Sequence, residues 1–388
     1  ETTGKTASGN VTVKGGEKFH LVATTANMGS LKGKYAITSN FPLDFHAMLL
    51  KLESSQDIGF GYYTDSSDLQ ITVDWPEEAV IEITKKDGDT GKNLAGAVYG
   101  VYSDNACTKL IAKMPPTDSN GSSRVTLTKT QDTVYLKEIT APEGYVVQAS
   151  SYGVKLVVGS TTKQTVTDKE QKGNLTVYKE GEVFVGAVSD ENGTSFQYEK
   201  RRQKGAVYNV YAAEDIVTAG GKTVYKKGAE VAKNLITGEN GSVTVKNLPL
   251  GSYNVTEAQA PENFYNAKET KKVTISYAGQ TAEAAFSETT FTNDRQKAVV
   301  QVIKKDKDTE NTLSGGHFAL FAAQDMKTVD GKAAVKKDAL IETAITGTDG
   351  KAAFKADLPV GFSYYVKEVQ APAGYVRNEK DTYSFQFS

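Results

Sequence analysis

A single cysteine, Cys107, excludes any disulfide within this chain of 388 residues. One cysteine suits oxidising and reducing compartments alike, so it assigns neither. With no histidine or second cysteine near it in sequence, Cys107 receives no role. Histidine is almost as scarce: His20, His46 and His317 lie far apart and offer neither metal-ligand nor triad spacing. An enzyme acting on external substrates therefore has no signature here, and nothing marks paired acids in residues 1–79. No apolar run approaches the length of a bilayer span, so no membrane segment is expected in these residues. Neither a signal peptide nor a cell-wall sorting motif is present, and no compartment follows from that. The net charge is −2 with both signs interspersed, which leaves nucleic acid without a basic surface to bind. Long Leu/Ala-rich helical patterns are missing, whereas Thr, Val, Tyr and Gly are abundant, a balance that favours strands and turns.

What is present is one stretch spelled three times: Glu-x-x-Ala-Pro, with an aromatic residue three places after the proline. The copies run from Glu138 to Tyr145, from Glu257 to Phe264 and from Glu368 to Tyr375. Each glutamate ends an alternating run: Val134, Leu136, Glu138; Tyr253, Val255, Glu257; Tyr364, Val366, Glu368. Residues two apart in a strand share a face, so each carboxyl points into a core. An ionised, unpaired acid there costs several kcal/mol, so it is either protonated or partnered.

The chain is too long for one core and implies two to four domains. Residues 1–79 do not match the repeat. Val11-Thr12-Val13 and Leu69, Ile71, Val73, Trp75 read as strands, and Phe45, Met48, Leu49 and Leu52 as a short helix. A small, mostly β unit of unknown role, or the tail of a larger domain, is predicted. From Val80 onward a unit recurs, over residues 80–171, 172–296 and 297–388. Each begins with a lysine-ended strand: Ile81–Lys85, Leu175–Lys179 and Val300–Lys304. A Gly-Ala-x-aromatic type strand follows from Gly96, Gly205 and Gly315. Turns at Asn240-Gly241 and Asp349-Gly350 come next in the later units, with Leu248-Pro249-Leu250-Gly251 and Leu358-Pro359-Val360-Gly361 before the glutamate strand. Such turn density predicts all-β, tandem Ig-like β-sandwiches of about 100 residues. The second unit carries extra segments at about 180–203, a hairpin around Asn192-Gly193, and at 214–230; both read as surface decoration.

The acid's partner lies on the first strand. Ile81, Ile83 and Lys85 share one parity, as do Leu175, Val177 and Lys179, and Val300, Val302 and Lys304. Lys86 and Lys305 have the opposite parity and belong in solvent. The last strand offers a third group: Asn293 on the face of Phe291, and Asp168 on the face of Val166. Two units thus hold an inward lysine, glutamate and asparagine or aspartate, on first, penultimate and last strands. Desolvation favours a neutral amine, which is a nucleophile, and a protonated glutamic acid, which hydrogen-bonds the acyl oxygen and shuttles protons. Holding amine and carbonyl together is worth an effective molarity of about 10⁵–10⁸ M. The predicted product is a Lys–Asn or Lys–Asp isopeptide bond, formed with loss of ammonia or water.

In this order of elements the chain resembles the Cna protein B-type domains of Gram-positive cell-wall-anchored adhesins and sortase-assembled pilins, from about residue 80 to 388. The resemblance implies Lys85, Glu138 and Asp168 as one isopeptide triad and Lys179, Glu257 and Asn293 as another, each glutamate as proton shuttle. In the third repeat Lys304 and Glu368 fit, but Tyr383–Phe387 reads as the strand before the one that carries the acyl group. Asn378 falls in a loop, so no bond is predicted there. The implied function is an extracellular stalk or pilin-type surface protein supporting adhesion, anchored to cell-wall peptidoglycan through a further C-terminal segment. Its implied partners are other pilin subunits or host extracellular matrix. The alternative is an adhesin whose matrix or glycan site lies in residues 1–79 or in the second-unit insertions. Residues 1–79 contain no Tyr-Pro-Lys type pilin motif, which counts against a shaft subunit. Asp87-Gly88-Asp89-Thr90-Gly91 and Asp306-Lys307-Asp308-Thr309 resemble oxygen-ligand loops but lack the glycine and distal glutamate of an EF-hand. Solvated turns are expected, with no metal and no cofactor.

Overall fold

A computed structural model describes residues 78–388 other than Asn378, and before them the backbone of short strands between Val11 and Asp74. Every regular element among the described residues is a strand, and no helix occurs. In the N-terminal stretch Val11–Val13, Leu69–Asp74, Lys34–Ser39 and Met48–Lys51 form one sheet in that order. Met48–Lys51 corrects the helix expected there: its residues pair across the sheet with Lys34–Ile37. Sheet pairing overrides a short helical spacing, because apolar residues one, three and four apart do not by themselves choose a backbone. Phe45, Leu52 and Trp75 lie outside the described residues.

The chain divides into two compact units, residues 1–170 with 279–281, and residues 171–278 with 282–388. The first contains repeat 1. Its lysine strand, Glu78–Asp87, alternates strictly between buried and half-buried positions. One sheet runs Ser122–Thr128, Glu78–Asp87, Thr161–Glu170, Tyr145–Val146; the other runs Ser151–Lys155, Thr133–Thr140, Val98–Tyr102, Leu110–Lys113. Ile81, Ile83 and Val166 of the first sheet meet Tyr99, Val101, Leu136 and Val154 of the second in one core. The first and last strands are neighbours and run parallel, so the chain enters at one end of the sandwich and leaves at the other.

Repeat 2 has the same plan. Lys172–Asp190 pairs parallel with the last strand, Ala284–Asn293, and the glutamate strand, Gly251–Gln259, lies in the opposite sheet. The glutamate strand is not penultimate, contrary to the sequence reading. Ser151–Lys155 in repeat 1 and Thr270–Ile275 in repeat 2 pair with it first, because the chain returns along that sheet's edge before crossing over. In repeat 3 Thr382–Phe387 holds the same position beside Phe362–Gln370, as the sequence indicated. The buried phenols of Tyr253 and Tyr364 donate to the carbonyls of Pro249 and Pro359, at 2.6 and 2.7 Å. Each Leu-Pro-x-Gly turn is thereby tied to the glutamate strand. Repeat 1 has Val134 at the equivalent position, and no such turn.

The second-unit insertions are not surface decoration. The segment at 214–230 forms a small hairpin, Ile216–Val217 with Thr223–Tyr225, whose Ile216 is buried in the repeat 2 core. Repeat 3 has its counterpart, Met326–Lys327 with Ala333–Val335, so this insertion is not confined to the second unit. The other insertion is the hairpin expected around Asn192-Gly193, between Lys172–Asp190 and Gly193–Arg202, but its apolar side belongs to the repeat 3 core.

Candidate functional site

The parallel pairing of first and last strands brings lysine and acyl group together. In repeat 1 Val166 is the register partner of Lys85, and Asp168 that of Asp87. Lys85 and Asp168 therefore point inward one pleat apart on adjacent strands. Glu138 reaches them from the opposite sheet. Lys85 is 0 % exposed, Asp168 1 % and Glu138 4 %. The lysine Nζ lies 2.8 Å from Glu138 Oε1, contacts Asp168 Oδ1, and donates to the Tyr99 hydroxyl at 2.9 Å. The other glutamate oxygen accepts from the backbone N–H of Gln148 at 2.8 Å, which fixes the carboxyl's rotation. Burial pushes the Asp168 carboxyl up to about 7, with the Lys85 ammonium opposing and Glu138 reinforcing the shift. Burial, then the Glu138 and Asp168 charges, also drive the Tyr99 phenol well above its ordinary range.

Repeat 2 repeats the geometry with an amide. Phe291 is the register partner of Lys179, and Asn293 that of Gly181. Lys179, Glu257 and Asn293 are 0 %, 1 % and 3 % exposed. Lys179 Nζ lies 2.9 Å from Glu257 Oε1, and Asn293 Nδ2 donates to Glu257 Oε2 at 2.7 Å. Here the glutamate accepts from the amide nitrogen, whereas the sequence reading had it bonding the amide oxygen. Turning the amide by half a revolution exchanges the two and places Oδ1 beside Glu257 instead. Burial lowers the Lys179 ammonium, against the attraction of Glu257. The amine is thus more readily freed of its proton than a surface lysine.

In repeat 3 Lys304 Nζ meets Glu368 Oε1 at 2.9 Å, but its side chain is 24 % exposed. Among the described residues no asparagine or aspartate side chain joins that pair. Asn378 lies outside them. Lys305 is exposed as its parity indicated, and Lys86 is half-buried.

Sequence reasoning missed the tyrosines. Tyr99 and Tyr208 are the cross-strand partners of Glu138 and Glu257. The Tyr208 hydroxyl stands 3.5 Å from Glu257 Oε1. The signal was the third residue after Gly96 and Gly205, tyrosine in both, with Phe318 at that place in repeat 3 opposite Glu368. The aromatic ending each Ala-Pro motif has another task. Tyr145 donates to Asp87 Oδ2 at 2.6 Å, and Phe264 packs on Gly181, where a Cβ would come within 2.2 Å of its ring. The other Asp87 oxygen accepts from the N–H groups of Asp89 and Thr90 and from the Thr90 hydroxyl. That carboxylate is shared between its own turn and Tyr145.

A family model described as SpaA, a prealbumin-like fold domain, matches residues 79–171, 192–290 and 298–388. The Bacillus anthracis TIE protein is 24% identical over 88% of this chain and 52% of its own, with a TM-score of 0.50, so this chain spans about half its length. BcpA, the major pilin subunit of Bacillus cereus, is 16% identical over 80% of this chain and 93% of its own, with a TM-score of 0.31. The full-length major pilin SpaD from Corynebacterium diphtheriae is 14% identical over 81% and 92%, with a TM-score of 0.22. Among curated proteins none matches.

Proposed function

The chain belongs to the SpaA family of prealbumin-like fold domains, and from that premise we propose that it is a stalk segment of a Gram-positive surface protein, locked by Lys85–Asp168 and Lys179–Asn293 isopeptide bonds. The observation that carries this reading is the pair of buried clusters, each joining first and last parallel strands beside a glutamate. A buried charged pair is a poor source of stability by itself, since desolvation offsets the attraction. Converting it to a neutral amide removes that cost.

In repeat 2 the unprotonated Lys179 Nζ attacks Cγ of Asn293. Glu257, in contact with both nitrogens, takes the proton that Nζ sheds and returns it to Nδ2. The Cγ–Nδ2 bond breaks, ammonia leaves, and the Nζ–Cγ amide remains. In repeat 1 the same steps at Cγ of Asp168 expel water, and the raised Asp168 carboxyl supplies the protonated acid that attack requires. Glu138 is the proton carrier there.

The mechanical purpose follows from the parallel pairing. A pull between entry and exit of repeat 1 loads its first and last strands in shear, and a Lys85–Asp168 bond carries that load around the intervening residues. Closing a loop of this length contributes about 4–5 kcal/mol by the chain-entropy estimate. We place the protein outside the cell, held at the wall and joined to other pilin subunits. A ligand site on the 180–203 insertion has less support, because that hairpin's apolar side is turned into repeat 3. Intact-mass spectrometry tests the chemistry: residues 1–388 should weigh less than their sequence by one water and one ammonia. A full, undiminished mass would refute both bonds.

A further inference from the structure

Lys172–Asp190 is one uninterrupted strand with two employers. Its first half is the central strand of a repeat 2 sheet, and from Glu182 onward its only strand partner is Gly193–Arg202. Repeat 1 has no equivalent, since its lysine strand ends at Asp87. The hairpin's inward residues are Phe184, Ala187, Phe196 and Tyr198. They share a core with Leu320, Met326, Ile341, Leu358 and Tyr364 of repeat 3. Phe184 is 8 % exposed, and its ring centroid lies 5.7 Å from Phe196 and 6.0 Å from Phe362, both edge-on.

Polar contacts fix the docking along the hairpin's length. The Val329 N–H donates to the Phe184 carbonyl at 3.0 Å, and the Thr194 hydroxyl to the Leu340 carbonyl at 2.7 Å. The Tyr198 hydroxyl donates to the Asp357 carbonyl at 2.6 Å, and Arg201 pairs with Asp330 at 2.7 Å. Arg295, two residues past Asn293, lies over the Tyr198 ring at 3.8 Å and pairs with the Asp357 carboxylate. At the tip, a Cβ on Gly193 would stand 2.2 Å from the Ile341 carbonyl oxygen, so only glycine permits this approach, and its φ of 143° excludes most side chains besides.

We infer that repeat 3 carries a dedicated docking surface for the 180–202 hairpin of repeat 2, and that the hairpin is a structural part of the repeat 3 core, so repeat 3 depends on repeat 2 for its stability. Two observations separate this from an ordinary contact between neighbours. Phe184 is buried inside a cluster whose other buried members all belong to repeat 3, and the tip touches main chain where no side chain can yield. Within residues 298–388 the lysine sheet of repeat 3 has two strands, Val300–Ile303 and Lys351–Phe354, and their inward Val302, Ala352 and Phe354 belong to the same cluster as Phe184. The hairpin's Phe184, Ala187, Phe196 and Tyr198 pack on that cluster. Dependence runs one way, because the repeat 2 core contains no repeat 3 residue.

Hydrogen exchange on the full chain tests this, with Phe184→Ala and Gly193→Val as separate variants. Phe184→Ala should speed exchange in the repeat 3 core strands His317–Ala322 and Phe362–Gln370 on the order of a hundredfold. Gly193→Val, which removes no core atom, should speed the same strands by about tenfold. Val207–Ala212 and Gly251–Gln259 of repeat 2 should keep their protection in both variants and so report that the chain has folded. The inference is overturned if repeat 3 keeps wild-type protection, if only the hairpin itself loosens, or if repeat 2 loosens equally.

Discussion

Lys85 and Asp168 are offset by two residues along adjacent parallel strands, and Lys179 and Asn293 repeat that offset. The diagonal brings an amine and an acyl carbon on neighbouring strands within reach, where directly opposed residues of that pair would be Lys85 with Val166. A glutamate from the facing sheet completes each cluster. The reaction proposed depends on this arrangement more than on any single residue.

Replacing Glu257 with Ala should abolish the loss of ammonia and leave the loss of water intact; Glu138→Ala should do the reverse. Intact mass reads both. Each open repeat should lose about 4–5 kcal/mol relative to its closed form, visible as a lower thermal midpoint for that repeat alone.

Tyr99→Phe removes the hydroxyl that accepts from Lys85 Nζ. Leaving a buried donor one partner short costs about 1–3 kcal/mol. The expected result is slower closure of the repeat 1 bond, followed by mass after refolding, with repeat 2 unaffected. Closure at the wild-type rate would show the phenol to be packing only.

The raised Asp168 carboxyl makes the open form of repeat 1 pH-sensitive. Its ordinary value is 3.8 and burial lifts it to about 7, so between these values the folded state binds more protons than the unfolded. Its contribution to stability is full below about 4 and is lost as pH rises through about 7. In a Glu138→Gln chain, which stays open, denaturant midpoints for repeat 1 should fall across this window. Adding Asp168→Asn should flatten the profile; a profile unchanged by that second substitution would exclude Asp168 as its source.

Lys304→Ala should leave both mass losses in place, because Lys304 and Glu368 have no third group among the described residues. Loss of a water or ammonia that disappears with this substitution would reveal an acyl partner within residues 1–388.

Much of the site was legible from strand parity. Lys85, Lys179, Glu138, Glu257, Asp168 and Asn293 are all buried where alternation put them, because period-two alternation converts a residue number into a face. The tyrosines escaped notice because an aromatic residue on an apolar face reads as core. The N-terminal helix failed because four apolar residues cannot distinguish a helix from a strand when pairing decides. The 180–203 hairpin was recognised as a hairpin, but its exposed-looking alternation gave no hint of what its apolar side would meet.

The sequence by itself determined the repeat, its strands and which side chains face inward, since those depend on neighbours within a few residues. Which inward groups touch, that the lysine and acyl strands are adjacent and parallel, and that Phe184 belongs to another repeat's core were decided only by the tertiary structure. Those relations join residues from about 35 to about 180 positions apart, and no local periodicity encodes a distance of that kind.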